Sequence, residues 1–101
     1  MEKINVISKV RFSSARPQAV GLHKGQALSV ELLCLEGGQN LQLKGPERLC
    51  YVITGAGNAS SLGQETDLTP GLLIPMNAGE TFTVTNSSQQ RLVCLVIYPA
   101  S

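Results

Sequence analysis

Hydrophobic residues in this chain recur at every second position rather than at the helical spacing of about 3.6. Ala27 to Leu35 reads ALSVELLCL, and Leu49 to Ile53 reads LCYVI. Thr81 to Thr85, TFTVT, alternates strictly, and Leu92 to Tyr98 reads LVCLVIY. Each run is short and bounded by turn-forming residues, the signature of a β-strand. The punctuation is dense: Gly37-Gly38, Gly45-Pro46, Gly55-Ala56-Gly57, Pro70-Gly71, Asn77-Ala78-Gly79 and Asn86-Ser87-Ser88. No long stretch carries a helical period. The pattern predicts about eight to ten short strands, packed as a sandwich or a small barrel.

Strand parity sorts side chains into faces. Asn40, Gln42 and Lys44 fall on one face of their strand, with Leu41 and Leu43 on the other. In the next strand Arg48, Cys50, Val52 and Thr54 share a face, opposite Leu49, Tyr51 and Ile53. Later, Phe82, Val84 and Asn86 share a face, and Thr81, Thr83 and Thr85 the other. Apolar residues on both faces call for cover on both sides: a barrel interior within and a second surface without. A partner subunit is one such cover. Leu33, Leu35, Leu41 and Leu43 are the leucines expected to form an apolar patch that a homodimer would bury.

Composition narrows the class. The 101 residues imply one domain, 1–101, and 43% hydrophobic against 15% charged residues excludes general disorder. A net charge of +1 gives no electrostatic basis for nucleic-acid binding. No apolar run reaches the roughly 20 residues of a membrane helix. The opening Met1-Glu2-Lys3-Ile4-Asn5 lacks the apolar core of a signal peptide, which points to the cytoplasm. Asn58-Ala59-Ser60 and Asn86-Ser87-Ser88 fit the glycosylation pattern but have no role there. Cys34, Cys50 and Cys94 lie far apart inside apolar runs, as buried thiols do.

The stretch Leu35 to Gly57, LEGGQNLQLKGPERLCYVITGAG, and then Leu68 to Pro99, resembles the small single-domain cupins. Tyr51-Val52-Ile53-Thr54-Gly55 is similar to the end of the first cupin motif. Gly71 followed by Asn77-Ala78-Gly79 has the spacing of the second, with Asn77 in place of the usual proline and Asn86 at the motif's final asparagine. The resemblance implies a double-stranded β-helix, or jelly-roll, barrel, commonly dimeric. It also implies a metal site of His-x-His, glutamate and a further histidine, and here the chain departs. The second-motif histidine position is Phe82. The His-x-His positions fall on Lys44 and Pro46 or on Asn40 and Gln42, depending on register, and the glutamate position on Arg48. The only histidine is His23, outside both motifs and in a glycine-flanked turn. A transition-metal site needs three or four imidazole, carboxylate or thiolate ligands. Lys44 and Arg48 would repel a divalent cation instead. No metal and no cofactor is expected.

The candidate barrel-facing residues are Asn40, Gln42, Lys44, Arg48, Cys50, Met76, Glu80 and Phe82. They are read as ligand-binding candidates, and none is assigned a catalytic role. Arg48 and Lys44 would fork a small anion, or else flank the Gly45-Pro46 turn in water. Glu80 would pair with Arg48 across the barrel. Cys50 is a nucleophile if Arg48 lowers its pKa, and otherwise a small buried hydrophobe. Phe82 and Met76 fill the barrel or wall a pocket. Two functions follow. One is a metal-free barrel that binds a small organic ligand or serves as a dimeric structural module. The other is a metal-independent isomerase or lyase acting on a sugar or carboxylate.

Overall fold

The computed structural model describes residues 1–100. A single 3-10 turn, Ile7–Lys9, precedes nine strands among the described residues. They are β1 (Gln18–Lys24), β2 (Leu28–Leu35), β3 (Asn40–Leu43), β4 (Arg48–Thr54), β5 (Gly57–Ser61), β6 (Gln64–Leu68), β7 (Leu73–Met76), β8 (Phe82–Thr85) and β9 (Leu92–Pro99). Each alternating run of the sequence lies on a strand. Two antiparallel sheets result, ordered β1-β2-β9-β4-β7 and β3-β8-β5-β6. The long register of β2 on β9, from Leu28↔Pro99 to Leu35↔Leu92, anchors the first sheet. Bulges at Gly21/His23 and Val52/Thr54 curl it.

Parity decides what faces inward. The first sheet turns Leu33, Leu35, Cys50, Val52, Leu92, Cys94 and Val96 onto the second, which answers with Leu43, Ala59, Leu68 and Val84. Burying each such aliphatic side chain contributes about 1.5–3 kcal/mol relative to exposure. Leu33, Leu35 and Leu43 are therefore interior, and Leu41 packs against them. None of these leucines supplies the external patch expected of them.

The outside of the first sheet is unevenly covered. Val6, Val10 and Phe12 pack over Leu32, Cys34 and Val93, with Val20, Leu22, Ile53 and Leu95 around them. The Gln39 side chain donates to Ser13 O at 2.7 Å, and the Arg91 guanidinium lies 4.6 Å from the Phe12 ring centre. The N-terminal segment is thus pinned across β1, β2 and β9. Toward β4 and β7 the cover ends, and Leu49, Tyr51 and Leu73 are 37%, 39% and 54% exposed.

The two ends of the barrel differ. At one end Leu35, Val52, Leu68 and Leu92 meet, closed by Asn86, which is fully buried. The Asn86 amide donates to Leu35 O and Gln90 O, and its oxygen accepts from the Ser88 amide and hydroxyl. Gly55, at φ +95, brings its backbone so near Arg91 that a Cβ would sit 2.2 Å from the Arg91 carbonyl oxygen. Only glycine fits both requirements. The other end, where β3 passes into β4 and β7 into β8, is the mouth.

Candidate functional site

The inward positions nearest the mouth are polar on the first sheet. Ser29 and Glu31 continue the parity of Leu33 and Leu35 on β2; Tyr98 continues that of Val96 on β9; Arg48 precedes Cys50 on β4. The Tyr98 hydroxyl donates to Glu31 Oε2 at 3.3 Å. The Arg48 guanidinium lies 6.0 Å from the Tyr98 ring centre. Burial, and then the Glu31 carboxylate, raise the Tyr98 pKa, while Arg48 and Ser29 oppose the rise. Arg48 also donates to Lys44 O at 3.0 Å and to Pro46 O at 3.4 Å, so it staples the turn between β3 and β4.

Glu80 does not meet Arg48. It lies in the turn two residues before β8, and its carboxylate accepts from the Ser61 hydroxyl and the Asn77 amide, each at 3.1 Å. Gly79, at φ +81, lets the Asn77–Glu80 turn double back, and its N–H donates to Gly45 O at 2.9 Å. One mouth turn thereby braces the other. Glu80 borders an open cleft of about 370 Å³ between the β5–β6 hairpin and the β7–β8 segment. Ala59, Ile74, Pro75 and Phe82 give it apolar walls; Ser60, Ser61, Gln64, Thr66 and Asn77 are polar, and Glu65 joins them.

The sequence-predicted residues thus separate. Glu80 and Phe82 border the cleft. Arg48 faces the mouth but on the Tyr98 side. Met76 is 1% exposed and belongs to the core. Asn40, Gln42 and Lys44 are exposed and point away from the barrel, because the inward parity of β3 belongs to Leu41 and Leu43. Neither sequence register placed the inward pair there. Their expected role in a barrel pocket is not met. His23 is exposed at the end of β1 rather than in the turn beyond it.

Cys34, Cys50 and Cys94 are free and buried. Cys50 and Cys94 are diagonal neighbours on β4 and β9. Their hydrogen bond lowers the Cys50 pKa, assisted by Arg48 against burial, and raises that of Cys94, where burial acts in the same direction. Burial also raises Cys34, against a backbone hydrogen bond from Arg11. Cys50 has no exposed surface from which to attack a substrate.

The metal of the cupins does not fit these residues. Leu41, Leu43 and Phe82 are the inward side chains of β3 and β8 at the mouth, and Arg48 faces them from β4. Hydrocarbon and a guanidinium offer no ligand to a divalent ion. Among the described residues no three His, Cys, Asp or Glu side chains converge as ligands.

Nine strands in two antiparallel sheets, joined in this order around one core, define a double-stranded β-helix, the fold of the cupins. No family model matches the sequence, and no curated protein matches it. Solved structures do. An uncharacterised conserved protein with a double-stranded β-helix domain from Klebsiella pneumoniae superposes with a TM-score of 0.89 at 19% identity, over 100% of this chain and 92% of that one. A cupin-superfamily protein from Desulfitobacterium hafniense gives 0.83 at 14%, over 99% and 92%. A Ralstonia eutropha protein with the provisional name mannose-6-phosphate isomerase gives 0.80 at 15%, over 100% of both chains. At these identities the likeness establishes the fold. Among the described residues no helix is long and apolar enough to cross a membrane.

Proposed function

We propose that the protein is a metal-free barrel that holds a small organic ligand in the cleft at its mouth and works as a homodimer. One observation carries the ligand reading. The interior is filled with apolar side chains up to Phe82, and beyond that ring the cleft keeps an oriented carboxylate, Glu80. The dimer reading is supported by the bare half of the first sheet, where Leu49, Tyr51 and Leu73 stand on neighbouring strands. A two-fold partner would bury the same face on both copies.

The alternative, a metal-independent isomerase or lyase, needs an acid–base pair facing one space. Arg48 and Glu80 do not provide one, since each is engaged with different neighbours; the Tyr98–Glu31 pair beside Arg48 is the arrangement that would serve it. Native mass spectrometry of untagged protein after gentle extraction tests the proposal. The expected result is a dimer mass with a small organic adduct, and no stoichiometric metal by elemental analysis. A monomer at micromolar concentration overturns the dimer. About one nickel, zinc, iron or manganese per chain overturns the metal-free reading.

A further inference from the structure

The cleft carries a chemical preference, and this inference rests on the small-ligand reading above. The Ser61 hydroxyl occupies one lone-pair position of Glu80 Oε2, and the Asn77 amide one of Oε1. A carboxylate offers about four such positions, so Glu80 is oriented yet keeps acceptor capacity. Its charge is not cancelled within the protein. Among the described residues the only ion pair is Arg91–Glu36, and no lysine or arginine lines the cleft. Glu65 borders the rim of the cleft from the outer face of β6, opposite Ser60. Ile74 and Phe82 line the same cleft as apolar walls, and an aromatic ring attracts a cation placed over its face.

We infer that the ligand is a small organic cation: an ammonium group on a short apolar or aromatic body. The ammonium would donate to the free acceptor positions of Glu80, and the body would lie against Ile74 and Phe82. A carboxylate or phosphate ligand would meet the like charge of Glu80 and no counter-charge, which disfavours it. A neutral alcohol keeps the hydrogen bond but loses the charge term.

Three probes of one shape separate these cases: phenethylammonium, phenethyl alcohol and hydrocinnamate, titrated into the full chain and followed by amide NMR. The expected result is saturable shifts at Ser61, Glu80 and Phe82 with phenethylammonium at about millimolar concentration, weaker shifts with the alcohol and none with hydrocinnamate. Glu80→Gln should weaken phenethylammonium by about tenfold, the factor equivalent to 1.4 kcal/mol. Glu65→Gln should weaken it by less. If Glu80→Gln fails to fold, the order of the three probes on the wild-type chain still decides. Equal binding of the alcohol, or preference for hydrocinnamate, overturns the cation inference and leaves the ligand cleft standing. Absence of shifts at these residues with all three probes overturns both.

Discussion

The closed end and the mouth of this barrel are built from the same strands by different rules. At the closed end, inward positions carry Leu35, Val52, Leu68 and Leu92, each no more than 1% exposed. At the mouth the same parity runs out into Ser29, Glu31, Tyr98 and Arg48 on one sheet and Phe82 on the other. A strand's alternation therefore continues past the point where its chemistry changes. The closed end holds its backbones together with Asn86 and Gly55. The mouth leaves Glu31, Arg48 and Tyr98 half-buried, with Ser29 buried beside them. The closed end is built for packing, and the mouth is where the proposed ligand would bind.

The largest expected effect lies at the closed end. Leu92→Ala removes a fully buried side chain packed against both sheets. It should cost about 3–5 kcal/mol, measured by urea unfolding. Phe82→Ala removes a larger side chain, but one that is half-exposed beside the cleft. It should cost about 1–2 kcal/mol, because less of the ring is withdrawn from water. If Phe82→Ala proves as costly as Leu92→Ala, the ring plugs the barrel and the distinction between the ends collapses.

Asn86→Ala sharpens the same contrast through polarity. Its amide serves Leu35 O and Gln90 O, and its oxygen serves Ser88. Alanine would leave these groups without partners in a buried place. A loss of about 1–3 kcal/mol is expected. Asn86→Asp should not restore the wild type, because a carboxylate cannot donate to the two carbonyls. Equal stability of Asn86→Asp and wild type would sink the reading of Asn86 as the closing bolt.

The barrel was legible in the sequence, but Leu35, expected in an outer patch, lies inside the closed end, and the mouth was not legible. Period-two runs, glycine spacing and the parity of Phe82, Val84 and Asn86 were enough for the barrel and for which side chains of β8, and of the residue just after it, enter it. The mouth depended on two things a single strand does not display. One is register: the short Gly45-Pro46 turn leaves open which residues of β3 face inward, and Leu41 and Leu43 do so in place of Asn40, Gln42 and Lys44. The other is pairing between distant strands. Glu31 sits inside the apolar run SVELLCL, and Tyr98 ends LVCLVIY, so neither stood out as a site residue. Parity did hold a signal, since Ser29 and Glu31 alternate with Leu33 and Leu35. It becomes meaningful only when β9 brings Tyr98 alongside and β4 brings Arg48.

The smallest expected effect tests that mouth network through pH. Burial and the Glu31 carboxylate raise the Tyr98 pKa in the folded chain. The neutral phenol is therefore the form the fold favours. Its contribution is fully present below the unfolded tyrosine value of about 10 and is lost as pH rises through the folded value, because the unfolded chain gives up its proton first. The raised Cys34 and Cys94 thiols act in the same direction from their ordinary value of 9.0, and the lowered Cys50 acts against them. Tyr98→Phe deletes the phenol alone. At about pH 7 it should cost only about 0.5–1 kcal/mol, the worth of one hydrogen bond at a half-exposed site. Between about pH 7 and about pH 10.5 it should lose less stability than the wild type, since the thiol contribution is shared and the tyrosine contribution is gone. Parallel losses in the two proteins, read from urea midpoints at both pH values, would mean that Tyr98 and Glu31 are not coupled in solution.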